Sequence, residues 1–122
     1  MAVDPSLGPL RWIGSSQRDL SALPESMKSR MGYALYVAQQ GGKHRDAKPL
    51  KGCGGAGVVE IVADFDGDTF RAVYTVRLAG VVYVLHVFQK KSKAGRATPK
   101  QEMAVIKQRL REAKRIARRE KQ

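Results

Sequence analysis

Val58–Phe88 reads VVEIVADFDGDTFRAVYTVRLAGVVYVLHVF, and this stretch decides the fold. Apolar residues alternate with others at a period of two, the spacing of a half-buried strand. Asp66-Gly67 and Ala79-Gly80 punctuate the run as tight turns. The pattern predicts three strands, Val58–Ala63, Phe70–Leu78 and Val81–Phe88, joined as an antiparallel meander. In the middle strand Phe70, Ala72, Tyr74, Val76 and Leu78 share one face, and Arg71, Val73, Thr75 and Arg77 share the other. The first face is expected on the helices. The second is expected to be an open surface, with Glu60 on the neighbouring strand an available partner for one arginine.

Upstream, residues 43–57 contain Lys43, Lys48, Pro49, Lys51 and four glycines, lack periodicity, and read as a loop. Before them Met27, Met31, Ala34, Leu35 and Ala38 recur at helical spacing, between Pro24 at the start and Gly41-Gly42 at the stop. Such a stripe is core rather than a cofactor box. Ser15-Ser16 offers a cap for a shorter helix to about Leu23, preceded by a strand near Leu10–Ile13. Downstream of the meander comes a loop over Gln89–Ala97. Thr98-Pro99-Lys100-Gln101 then opens a helix over about 99–118, with Met103, Ile106, Leu110, Ala113 and Ala117 on one face. The class is α+β: two N-terminal helices, a small antiparallel sheet and a C-terminal helix. All 122 residues are expected to form a single domain.

Charge narrows the function classes. There are 23 Lys and Arg against 11 Asp and Glu, a net charge of +12. Residues 90–122 hold 13 of those bases and only 3 acids, so the excess sits in the last quarter of the chain. A concentration of one sign beside a folded core reads as a footprint for phosphates. A single cysteine, Cys53, excludes a disulfide framework and a cysteine-based zinc site, and fits a reducing compartment. With no secretory signal pattern and no apolar run long enough for a bilayer, the expected location is cytoplasmic.

Several motifs dissolve when read with their context. Gly52-Cys53-Gly54-Gly55-Ala56-Gly57 has the spacing of a dinucleotide fingerprint, but a strand follows it where that fingerprint needs a helix. His44 and His86 lack a partner at i+4, so no metal is expected; His44 reads as a solvated loop residue. Asp64, Asp66 and Asp68 are explained by turn chemistry. No small-molecule cofactor is called for. What remains is a basic surface: Arg71, Arg77, Lys90, Lys91, Lys93 and Arg96, with Lys48 and Lys51 beside it. Tyr83 is a candidate phenol or stacking face; parity assigns Tyr74 to the core. Such a surface can bind phosphate or stabilise the charge that develops when a ribose 2′-hydroxyl attacks its own phosphodiester.

The pieces Trp12-x-Gly14-Ser15-Ser16, Ala34-Leu35-Tyr36, Lys48-Pro49-Leu50-Lys51-Gly52, Phe70-Arg71-Ala72-Val73-Tyr74, His86-Val87-Phe88-Gln89-Lys90-Lys91-Ser92-Lys93 and Thr98-Pro99 together resemble the HigB-type toxins. These are the phage-derived host-inhibition-of-growth members of the RelE/ParE superfamily, and the resemblance runs from about Trp12 to Leu110. It implies a RelE-like fold and a ribosome-dependent mRNA endonuclease of a type II toxin–antitoxin pair. It further implies a HigA-like helix-turn-helix antitoxin as partner and the ribosome with A-site mRNA as target. By the same resemblance Arg71 holds the scissile phosphate. Lys90, Lys91 and Lys93 supply transition-state charge or protonate the leaving oxygen, and His86 occupies a position where several members carry His. Lys48, Lys51, Arg77 and Arg96 are then RNA- or ribosome-binding. In many relatives a basic residue lies near the place of Glu60, and no Tyr follows Tyr83 to match the tyrosine of RelE-type relatives. The general base is open among Glu60, His86 and a lysine. A ParE-like gyrase inhibitor and a noncatalytic RNA-binding module are the alternatives.

Overall fold

The computed structural model describes residues 8–53, 57–90 and 98–120. In chain order the elements are β1 (Leu10–Trp12), α1 (Ser16–Ser21), α2 (Glu25–Gln39), β2 (Ala47–Pro49), β3 (Val58–Phe65), β4 (Asp68–Thr75), β5 (Val82–Lys90) and α3 (Lys100–Glu120). The class is α+β, and the meander is present as β3-β4-β5 with both pairings antiparallel. The sheet itself is mixed, not antiparallel throughout. It has five strands in the order β1-β5-β4-β3-β2, and β1 runs parallel to β5 with Leu10, Arg11 and Trp12 opposite Val82, Tyr83 and Val84.

β2 falls inside the stretch read as loop. Its three residues pair with β3, Lys48 opposite Glu60, and lie at the sheet edge where Pro49 is tolerated. A strand this short carries no readable alternation, so only its neighbour defines it. The Asp66-Gly67 turn forms as read, with φ of 52° and 86°, the left-handed pair that a two-residue hairpin needs.

The helices cover both faces of the sheet, which overturns the open surface expected for one of them. On one face α2 delivers its whole predicted stripe, Met27, Met31, Ala34, Leu35 and Ala38, against Ile61, Ala63, Phe70, Ala72, Tyr74, Val82, Val84 and Val87. On the other, α3 lays Ile106, Leu110, Ala113 and Ala117 over Val58, Val73, Tyr83, Leu85 and Phe88. A strand face carrying Val73 and Thr75 needs burial, and α3 is the one long amphipathic helix left to supply it. Tyr74 and Tyr83 are both fully enclosed, one in each core, so neither phenol is available for stacking or proton transfer. Desolvation pushes Tyr74 up to about 12.

Strict alternation breaks at one place. The β4–β5 register steps from Val73 opposite His86 to Tyr74 opposite Val84, so Leu85 is the extra residue of a bulge. Before it Tyr83 and Leu85 face α3; after it His86 and Phe88 do. Strict alternation along β5 would set His86 beside Val82 and Val84. The bulge moves it to the opposite side.

Candidate active site

The α3 side of the sheet buries charge. Arg71 is 5%, Lys90 7% and His86 8% exposed. Burying such groups is costly unless they are paired, so the partners carry the argument. Arg71 on β4 points its Nη1 at Glu60 Oε2 on β3, 3.3 Å away, and at Thr98 Oγ1, also 3.3 Å away. The register explains the first contact: Arg71 faces Val62 and Glu60 faces Val73, making the two a diagonal pair on one face. The ion pair expected from the sequence exists, but buried under α3 rather than exposed.

Glu60 and Thr98 also line a cleft of about 460 Å³ together with Lys48, Pro49, Leu50, Lys51 and Met103. Lys48 and Lys51 are exposed at its rim, and the edge strand β2 sets Lys48 across from Glu60. Lys90, expected in a loop, is the last residue of β5 and lies opposite Thr69. Lys91, Lys93 and Arg96 lie outside the described residues. Arg77 goes elsewhere: its guanidinium donates to the Gln39 carbonyl at the C-terminus of α2 and lies against Gly41. It caps a helix end, where cationic groups are favoured, because β4 ends at Thr75 and the chain turns away before it.

His86 is the most closely held of the candidates. Its ring stacks on Phe88 with centroids 4.8 Å apart. Arg109 of α3 approaches its Nδ1 to 3.3 Å, and Glu102 Oε2 lies 3.3 Å from its Nε2. Burial lowers the His86 pKa and Arg109 pushes the same way, against the opposing pull of Glu102. Arg109 also donates to the Leu85 carbonyl at 2.9 Å, at the bulge, and to Ser15 Oγ at 3.1 Å. Ser15 in turn donates to Asp19 at 2.7 Å, and the buried Ser16 hydroxyl donates to the Val84 carbonyl at 3.1 Å.

Gly14 makes room for this arrangement. Its φ is +58°, and a Cβ there would lie 2.6 Å from Arg109 Nε. Ser15, expected to cap α1, makes no capping hydrogen bond with its side chain; together with Gly14 it seats Arg109 instead. Arg109 and Glu102 themselves were missed, hidden among the other charges of a basic helix. Their signal was positional. Glu102 stands in the first turn of α3, just after the Thr98-Pro99 start that the sequence marks.

His44 is structural rather than solvated: its Nδ1 accepts from the Asp46 amide at 3.1 Å and its ring meets the edge of Tyr33. Among the described residues no group of three His, Cys, Asp or Glu is placed to hold a metal ion, and no helix is long and apolar enough to cross a membrane.

Residues 18–111 match the family model of phage-derived Gp49-like proteins. The chain belongs to that family. The match takes in Glu60, Arg71, His86, Lys90, Thr98, Glu102 and Arg109, and leaves out Gly14, Ser15, Ser16, Ala113 and Ala117. Among solved structures, a chain of the RelBE2 toxin–antitoxin complex of Mycobacterium tuberculosis is similar at a TM-score of 0.46 and 21% identity. That likeness covers 75% of this chain and all of the other. No curated protein matches the sequence.

Proposed function

We propose that this Gp49-like protein is the toxin of a type II toxin–antitoxin pair, an endoribonuclease that cuts mRNA in the ribosomal A site. The observation that carries the reading is Arg71: a guanidinium on a rigid central strand, in contact with two lining residues of a cleft rimmed by Lys48 and Lys51. A planar fork so placed can grip a phosphodiester through two parallel bonds and neutralise charge as the pentavalent phosphorus forms. The exposed bases of α3, Lys107, Arg111, Lys114, Arg118 and Arg119, extend positive charge along the same side and favour a large polyanion. Lys90, Lys91 and Lys93 are assigned to leaving-group and transition-state charge, and Arg96 to RNA binding, on the HigB-type resemblance. A HigA-like helix-turn-helix antitoxin is the expected inhibitor.

The test is 5′-end mapping of a defined mRNA in a reconstituted translation system, with wild type and Arg71→Ala in parallel. New ends inside the reading frame that need ribosomes and disappear in the variant are expected. Intact mRNA with arrested growth of expressing cells would sink the proposal and direct attention to gyrase.

A further inference from the structure

We propose that Glu102 is the proton acceptor of the cleavage reaction, with His86 and Arg109 as the positioning residues that aim it. The assignment rests on the endonuclease reading above and supplies the base that the sequence left open.

The argument starts at His86. A guanidinium has only donors, so the ring nitrogen 3.3 Å from Arg109 Nη1 must present a lone pair. Nδ1 is therefore bare, and the single proton of the neutral ring sits on Nε2. A second proton on Nδ1 would face a cation in a buried setting. Neither nitrogen is then able to take a proton: Nδ1 is engaged by Arg109, and Nε2 already carries one. His86 cannot be the base.

Nε2 lies 3.3 Å from Glu102 Oε2, at ion-pair distance but off the line of a formed hydrogen bond. One such donor uses at most a fraction of a carboxylate's lone pairs and leaves the rest for substrate. The Glu102 side chain is 28% exposed, so it is held from below and open from above. Its rival Glu60 is committed through Oε2 to Arg71, the group that the phosphate requires.

Position supports the same choice. Glu102 lies four residues beyond Thr98, on the helix face turned to the sheet, and Thr98 touches Arg71. His86 stacks on Phe88, and Phe88 is the cross-strand partner of Arg71. The carboxylate and the phosphate-binding guanidinium thus occupy the same end of the same face. The charged groups that face His86 are Glu102 and Arg109 of α3 and Asp19 of α1.

In the step itself the 2′ O–H bond breaks and its proton passes to a Glu102 oxygen. The 2′ oxygen forms a bond to phosphorus, the bond from phosphorus to the 5′ oxygen breaks, and the departing oxygen takes a proton from the ammonium of Lys90, to which the proton on Glu102 is returned through solvent. The products are a 2′,3′-cyclic phosphate and a 5′-hydroxyl.

The test is single-turnover cleavage of ribosome-bound mRNA by wild type, Glu102→Gln, Glu102→Ala and Arg109→Lys. A base of this kind contributes on the order of 100- to 10,000-fold. Glu102→Gln is expected to lose at least about 100-fold in rate with KM unchanged, and added formate to restore part of the rate in Glu102→Ala. Arg109→Lys is expected to lower kcat without raising KM. Nitrogen-15 shifts of His86 are expected to report a protonated Nε2 and a bare Nδ1. Glu102→Gln within threefold of wild type, a formate-insensitive Glu102→Ala, or the opposite tautomer overturns the assignment. Failure here with Arg71-dependent cleavage intact leaves the endonuclease reading standing, whereas wild type that does not cleave removes both.

Discussion

The two faces of the sheet are made from the same strands and solve different problems. Under α2 the face is apolar from Met27 to Val87, and Tyr74 brings the single phenol, its hydroxyl unpaired among the described residues. Under α3 the same strands present Glu60, Arg71, His86 and Lys90 beside Val73 and Phe88. Buried ion pairs seldom repay their desolvation, so the α3 face is the poorer contributor to stability for its area. It retains charge where a core would do without it. The contrast teaches that one layer holds the fold together while the other carries the buried charge to which the proposed chemistry is assigned.

That contrast can be broken most forcefully by making the second face like the first. Replacing Glu60 with Leu and Arg71 with Met together is expected to abolish cleavage and leave stability unchanged or raised by about 1–4 kcal/mol. Arg71→Ala alone leaves Glu60 buried beside nothing cationic from β4 and is expected to cost about 3–5 kcal/mol. Urea unfolding of the single and double variants measures both, and a double variant less stable than Arg71→Ala would end the comparison.

The apolar face should respond in the opposite sense. Met31, fully buried on α2, changed to Ala is expected to cost about 2–5 kcal/mol with cleavage per folded molecule unaltered. A loss of activity beyond the unfolded fraction would mean that the two layers are coupled.

A smaller effect follows from His86. Its folded pKa lies below the ordinary value, so the unfolded chain binds the extra proton first as pH falls. Its contribution is therefore complete above about pH 6.5 and declines as acid is added down through the folded pKa. Melting temperatures of wild type and His86→Gln from pH 8 to pH 5, on the order of that range, should converge toward the acid end. Parallel curves would place the titration elsewhere.

The smallest effect belongs to the rim. Lys48→Ala is expected to change stability by less than about 0.5 kcal/mol and to lower the salt dependence of RNA binding by about one unit of slope. Unchanged salt dependence would detach β2 from the interface.

How much of this was legible along the chain depended on the range of the interaction that produced each feature. The α2 stripe and the Asp66-Gly67 turn obey periods and dihedral preferences contained within a few residues, so they were readable in full. Arg71 stood out because a guanidinium interrupts an apolar strand. By contrast, β2 exists only because β3 lies beside it, and the parallel pairing of β1 with β5 joins segments about seventy residues apart in the sequence, a range no local preference spans.

By itself the sequence determined the α+β class, the meander, the helix faces, the concentration of positive charge and the candidacy of Arg71, because periodicity and charge are properties of neighbours. Tertiary structure alone decided which face α3 covers, that Arg77 caps α2 rather than joining Arg71, and that one bulge at Leu85 turns His86 toward Glu102 and Arg109. The physical reason is parity. In a strand a single inserted residue exchanges the two faces beyond it, and whether one is inserted depends on the packing of distant elements.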